Sequence, residues 1–341
     1  MKIQTACLAF ALMTTMNISF PADAASTNQV SNGLLLVCNK GDHTLSMIDP
    51  ETGAQLAAVD EDGVTGHEVA ASADGKFAFV PIYGNSGVGH PGTDGRMIRV
   101  IDLKKHAITA TIDFDRGIRP HCAVIGPKDK LLYVTTELEN AIQVIDPATF
   151  QILGSIPTGQ SESHMLAISG DGRFGYTANV GPGTVSVIDL HAKKTLAIIP
   201  VAKSVQRISI SPDDKWVFTA DQKQPRLAVI DTAQNRITNW IELPGIGYGT
   251  APTPDGRWLV VAMNGINQIG IVDLKTLKIA HVIDVPKTPQ AVVVRPDGAF
   301  AYVSCDATRQ VAVIDLKNFT VAKLIPAGKG ADGLAWMTGL E

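Results

Sequence analysis

Residues 164–201 read HMLAIS (164–169), GDG (170–172), RFGYTAN (173–179), VGPG (180–183), TVSVIDL (184–190), HAKK (191–194) and TLAIIPV (195–201). Each apolar run is short, rich in β-branched residues and bounded by Gly, Pro, Asp or Asn. None has a 3.6-residue period, so the stretch predicts four antiparallel strands joined by tight turns. We name them A, B, C and D in chain order. The Ile-Asp or Val-Asp that ends strand C recurs at Asp49, Asp102, Asp146, Asp189, Asp231, Asp273 and Asp315, with gaps of 53, 44, 43, 42, 42 and 42. A period of roughly 40–50 residues, one four-stranded unit per repeat, is the signature of a β-propeller. Seven returns predict an all-β, seven-bladed propeller.

The chain ends are out of phase with the repeat. Residues 33 to 59 supply B, C and D without an A, while Asp332 to Trp336 supplies an A alone. Joined, they make the seventh blade, close the ring and remove the sheet edges that would invite aggregation. The A-to-B turns read SADG, SGDG, SPDD, TPDG and RPDG, with a divergent GPKDK in the second repeat. Pro presets φ and Gly takes positive φ, so these are tight hairpins whose acids are structural. The Asp closing strand C is expected to accept from the backbone of the C-to-D turn.

Before the first repeat, Lys2 precedes an apolar run from Ala6 to Phe20, and Ala22-Asp23-Ala24 has the small-x-small form of a cleavage site. Residues 1–24 are therefore expected to be an export signal and residues 25–341 one propeller domain, soluble and periplasmic. No other stretch approaches the ~18 apolar residues that span a bilayer. The net charge of -4 is spread along the chain, without the basic patch of a nucleic-acid binder. Cys38, Cys122 and Cys305 remain after cleavage, an odd number that leaves at least one thiol unpaired. Cys38 and Cys305 end B strands in neighbouring blades and pair only if their Cα atoms approach within ~7 Å.

The strings LYVTTELENAIQVIDPAT (132–149), YTANVGPGTVSVIDL (176–190) and AYVSCDATRQVAVIDL (301–316) resemble the YVTN-repeat propellers, including YncE-like exported proteins, over nearly all of the mature chain. The resemblance implies the fold. It leaves function open, since related propellers include lactone-cleaving enzymes, lyases, carriers of redox cofactors and proteins of no assigned activity.

Antiparallel order places the D-to-A and B-to-C loops on one face, the top. Seven residues before each A-to-B turn position lie His67, His121, His164, Gln206, Tyr248 and Gln290, and Asp332 fills the same column in the seventh blade. Because A strands ring the channel, the column predicts a polar collar at its upper mouth. Three readings stay open: a merely polar lining, a small-molecule or anion site, and a divalent transition metal, copper or zinc, held by His67, His121 and His164. Arg119 and Arg207 flank the column and suit an anion. Glu68, Glu162 and Tyr248 are the candidate proton carriers should the site be catalytic.

The first B-to-C connection, residues 81–95, is about ten residues longer than its counterparts and Gly-rich. It is expected to overhang the mouth with Tyr83, Asn85 and His90 available to a ligand. No nucleophile elbow, H-E-x-x-H, C-x-x-C-H or P-loop occurs in the sequence. The leading expectation is thus an exported propeller that binds a small polar ligand or metal ion at its mouth. Metal-assisted hydrolysis or lysis of a lactone-like ring is the alternative, and a scaffold for another exported protein the third reading.

Overall fold

A computed structural model describes residues 33–338; the expected export signal and its cleavage site lie outside them. Seven four-stranded antiparallel sheets follow one another. In blade 3 the strands are Ser163–Ile168, Phe174–Asn179, Thr184–Asp189 and Lys194–Pro200, within about a residue of the sequence reading. Blade 7 is the composite expected, with Ala331–Thr338 pairing antiparallel to Gly33–Asn39. The A strands of all seven blades touch in a closed cycle, so they line the axis. Among the described residues the helical content is one 3-10 turn, Asp306–Thr308.

The core is divided among seven apolar clusters, one per blade-to-blade interface. Strands B and C are buried on both faces and read as continuous apolar runs, whereas each D strand alternates exposed and covered residues as an outer edge should. The bottom turns behave as their chemistry requires. Asp74, Asp171, Asp213 and Asp255 each accept from the Ser or Thr two residues before and from a backbone N–H two residues after. Asp102, Asp146, Asp231, Asp273 and Asp315 accept from the backbone two residues on, turning C into D.

The entry into strand A has a rule of its own that sequence does not reveal. Two residues before the collar column the backbone is left-handed in five blades: Thr65, Arg119, Glu162, Thr288 and Gly330 have φ of 64, 51, 53, 60 and 70°. The carbonyl of each then accepts an N–H from the upper end of strand B of its own blade, from Tyr83 within the longer strand of blade 1 and from the first residue past the strand in the others, Glu137, Val180, Asp306 and Lys40, at 3.0 to 3.2 Å. This bond draws the B-to-C loop onto the channel mouth, and it decides which side chains arrive there.

Candidate functional site

The column does form a collar. His121 and His164 are buried and stacked, ring centroids 3.6 Å apart and planes 29° from parallel. His67 lies 5.4 Å from His121, and its Nδ1 stands 3.6 Å from an oxygen of Asp332. His164 Nε2 faces the Gln206 amide nitrogen at 3.5 Å. Asp332, His67, His121, His164 and Gln206 therefore run as one connected arc.

Glu68, Arg207 and Asp332 form a second cluster that spans the channel. Arg207, on blade 4, reaches across the channel to Asp332 of blade 7 at 2.9 Å and to Glu68 of blade 1 at 2.7 Å. Its guanidinium also lies over the Tyr248 ring, 5.0 Å from the centroid. The Glu68 contact is an ion pair without hydrogen-bond geometry, since the same oxygen has no hydrogen-bond partner. Lys40 pairs with Asp306 at 2.8 Å and Asp332 at 3.2 Å, and Gln290 donates to Asp306 at 3.5 Å. Gly333 enters this crowd because nothing larger fits: a Cβ there would lie 2.4 Å from the His67 carbonyl oxygen, which accepts the Gly333 N–H.

These surroundings set the charges. Burial holds the His121 imidazole far below its ordinary value, helped by His164 and His67, and lowers His164 to about 3, helped by Arg207. Burial also lowers His67, against the pull of Asp332. All three are neutral at pH 7. Burial lifts Glu68 to about 7 although Arg207 opposes it, while at Asp332 burial is outweighed by Arg207 and Lys40 and the carboxyl sits below its usual range.

Several expected roles are corrected. The three histidines meet, but their rings stack against one another instead of aiming nitrogens at one point. Among the described residues no group of three or more His, Cys, Asp or Glu is placed to hold a metal ion. Arg119 does not face the mouth: it pairs with Glu137 at 2.9 Å and Asp94 at 2.7 Å and donates to the His90 carbonyl at 2.7 Å, pinning the long loop. Glu162 is likewise turned away, its carboxylate packed against Gly89 and Gly181. The left-handed turn at both residues is the cause, since it points positions 119 and 162 outward as the chain enters strand A.

With Gly89, His90 and Glu137 these two line a cleft of about 330 Å³ to which no collar residue contributes. His90 thus belongs to that cleft. Residues expected as the start of a loop continue strand B, Phe77–Gly84, so that Tyr83 is buried with its ring 5.3, 5.2 and 6.4 Å from those of His67, His121 and His164. Its hydroxyl donates to Glu137. Asn85 holds the loop base by accepting the Thr93 N–H. Cys38, Cys122 and Cys305 are all free and buried.

Lys40 and Asp306 reach the mouth, and Glu137 the neighbouring cleft and the Tyr83 hydroxyl, without being anticipated by the sequence. They share a signal: Tyr83, Glu137, Val180, Gln222, Asn264 and Asp306 each lie sixteen residues after a collar position, and Lys40 is their counterpart in blade 7. This second column lies at or just past the upper end of strand B, and in five blades, those of Lys40, Tyr83, Glu137, Val180 and Asp306, its N–H bonds to the left-handed carbonyl.

Comparison with known proteins supports the architecture. Residues 126–242 match the model of the cytochrome D1 heme domain family, about a third of the chain, from the A-to-B turn of blade 2 to the end of blade 4. A solved structure, hydrazine synthase of Kuenenia stuttgartiensis, aligns with a TM-score of 0.71 at 21% identity, covering 83% of this chain and 92% of that one. The likeness is one of fold. No curated protein matches the sequence.

Proposed function

We propose that this chain is an exported, periplasmic propeller of the YVTN kind that binds a small, uncharged polar molecule in its top mouth. The observation that carries this reading is the pair of buried imidazole Nδ1 atoms, on His121 and His164, that have no hydrogen-bond partner among the described residues. Leaving a buried polar atom unsatisfied costs about 1–3 kcal/mol, so a ligand able to hydrogen-bond both is recognised through a need the protein already has. Gln206, Tyr248, Gln290 and His67 would complete its surroundings.

Charge argues against the other ligand classes. Arg207 and Lys40 are committed to Asp332, Glu68 and Asp306, and Arg119 lies in the neighbouring cleft, so among the described residues an anion finds no free cation at the mouth. Copper or zinc would need the stacked rings to separate before three nitrogens converged. A haem group, which the matched family name raises, does not fit either. Paired charges surround the mouth, and His121 and His164 cover each other's ring faces, leaving the described residues no apolar slot for a macrocycle. Glu68, near 7 and beside Arg207, is the one candidate proton carrier still suited to that task, which keeps hydrolysis or lysis of a lactone-like ring as the second reading. Another exported protein docking on the blade faces is a partner this reading does not require.

Mass spectrometry of protein released from its native compartment tests the proposal, first under non-denaturing and then under denaturing conditions. The expected result is about one small organic molecule per chain, lost in His121→Ala and His164→Ala but kept in His191→Ala, which alters an exposed bottom turn. Stoichiometric copper or zinc would replace this reading with the metal one. Equal retention by all three variants would move the ligand elsewhere.

A further inference from the structure

The turn that delivers His67 to the collar is built over a buried acid. Glu61 directly follows strand D of blade 7, Gln55–Asp60, and is fully buried. One carboxyl oxygen accepts the Gly66 N–H at 2.9 Å, and the other has no partner among the described residues. Gly66 lies so close that a Cβ would stand 2.7 Å from the bonded oxygen and 2.5 Å from a Val80 methyl. The turn is also conformationally loaded, with Asp62 and Thr65 left-handed at φ of 42 and 64°. Such residues cost about 1 kcal/mol each and persist only where their surroundings fix them.

The neighbours leave the carboxyl without a counter-ion. Arg99, from strand C of blade 1, donates through Nε to the Glu61 backbone carbonyl at 2.9 Å and through Nη2 to the Asp62 carboxylate at 3.0 Å. Asp60 accepts the Asp62 N–H at 2.7 Å and adds like charge. The Glu61 N–H donates to the His43 carbonyl at 2.9 Å. The Cys38 thiol, within electrostatic reach, is pushed far above its ordinary value by burial and then by Glu61 itself. Among the described residues no contact places a cation on the Glu61 side chain.

We propose that Glu61 is a pH-sensitive latch on the collar: its protonated carboxyl holds residues 61–66, and with them His67, in place, and its ionisation releases them. Burial lifts this carboxyl to about 7, Asp60 adds to the rise, and the Gly66 bond opposes it without prevailing. A raised folded-state value means that the stabilisation is fully present below the ordinary carboxyl range and is lost as pH rises through about 7. Opening the turn rehydrates the carboxylate, frees the Gly66 N–H and withdraws His67 from Asp332. The consequence for ligand binding rests on the mouth being the site proposed above; the latch itself does not.

Hydrogen exchange followed by mass spectrometry on the full chain tests it without any ligand. After correction for base catalysis, protection over residues 61–68 should fall about tenfold between pH 6 and pH 8, the change expected when the closed form titrates near 7 and the open form near 4.5. In Glu61→Gln it should change less than twofold, and residues 94–102 should hold steady in both proteins. Equal pH dependence in the two proteins overturns the latch. So does a wild type whose 61–68 segment keeps its protection at pH 8, a result that stands even if the variant fails to fold. Failure of the ligand proposal shows in the released-protein mass spectra and leaves these exchange rates unaffected.

Discussion

Two clusters share the mouth and treat buried polar groups in opposite ways. Lys40, Asp306, Asp332, Glu68 and Arg207 neutralise one another through contacts of 2.7 to 3.2 Å, those of Arg207 crossing the channel to blades 7 and 1 and those of Lys40 joining blades 7 and 6. His121 and His164, stacked beneath Tyr83, give up charge altogether and leave their Nδ1 atoms without partners. The first cluster has its charges paired without a ligand, although one Glu68 oxygen lacks a hydrogen bond, and removing a member should be costly. The second is incomplete, and removing its polar atoms should cost the fold little while costing the site its recognition. The mouth is therefore an ion-paired frame on one side and a receptive surface on the other.

The largest expected effect breaks the frame. Arg207→Met removes the cation that Glu68 and Asp332 share, strands the buried Glu68 and leaves the buried Asp332 with Lys40 alone. Loss of one partner from a buried ion pair costs about 3–5 kcal/mol, and a denaturant melt at pH 7.5 should show a loss of that order. A loss below about 1 kcal/mol would mean that solvent reaches these carboxylates and that the frame is no stronger than a surface pair.

How far this contrast is legible in the sequence follows from the range of the interactions involved. The propeller is readable because strand alternation, turn residues and the Ile-Asp ending are local and repeat seven times; a reader needs only one clean unit and a ruler. The collar column is readable for the same reason. The frame is not, because Lys40 and Asp332 meet only when the ring closes, 292 residues apart. Arg119 and Glu162 escape the same reading because a left-handed backbone at a non-glycine residue leaves no mark in composition. Tyr83 looks like loop in the sequence because Gly84 and the glycines after it end the apolar pattern, although strand B runs through it. The column sixteen residues on is open to the same counting that finds the collar, but its residue types differ from blade to blade and only the backbone bond that five blades share marks it as a feature.

An intermediate effect comes from acid. His164 is held at about 3 when folded and regains its ordinary value near 6.5 when unfolded. The unfolded chain therefore binds the proton first: stability is intact above about 6.5 and is lost as pH falls from there toward about 3. For this residue alone the loss between pH 8 and pH 5 should be about 2 kcal/mol. Glu68 works in the opposite sense, its stabilisation being present at low pH and lost as pH rises through about 7, so the wild-type curve mixes both. The clean measurement is the difference between wild type and His164→Phe, which should shift by about 2 kcal/mol in favour of the variant from pH 8 to pH 5. A difference that does not move with pH would mean that the imidazole titrates as it does in water.

The smallest effect is the most discriminating. At pH 8 His164 is neutral in both the folded and unfolded chain, so His164→Phe changes no charge. It replaces an imidazole whose Nδ1 lacks a partner by an apolar ring of similar shape that can still stack on His121. Exchanging an unsatisfied buried polar group for an apolar isostere is close to neutral or stabilising, so the melt should move by less than about 1 kcal/mol in either direction. The Gln206 amide, 3.5 Å from the other ring nitrogen, stands too far off for its removal to outweigh that gain. The same variant should lose the bound molecule. A cost comparable to that of Arg207→Met would mean that His164 is fully bonded in the resting protein, through water, and that both sides of the mouth are finished structures. A near-neutral melt joined to complete loss of ligand would instead separate folding from recognition at a single ring nitrogen.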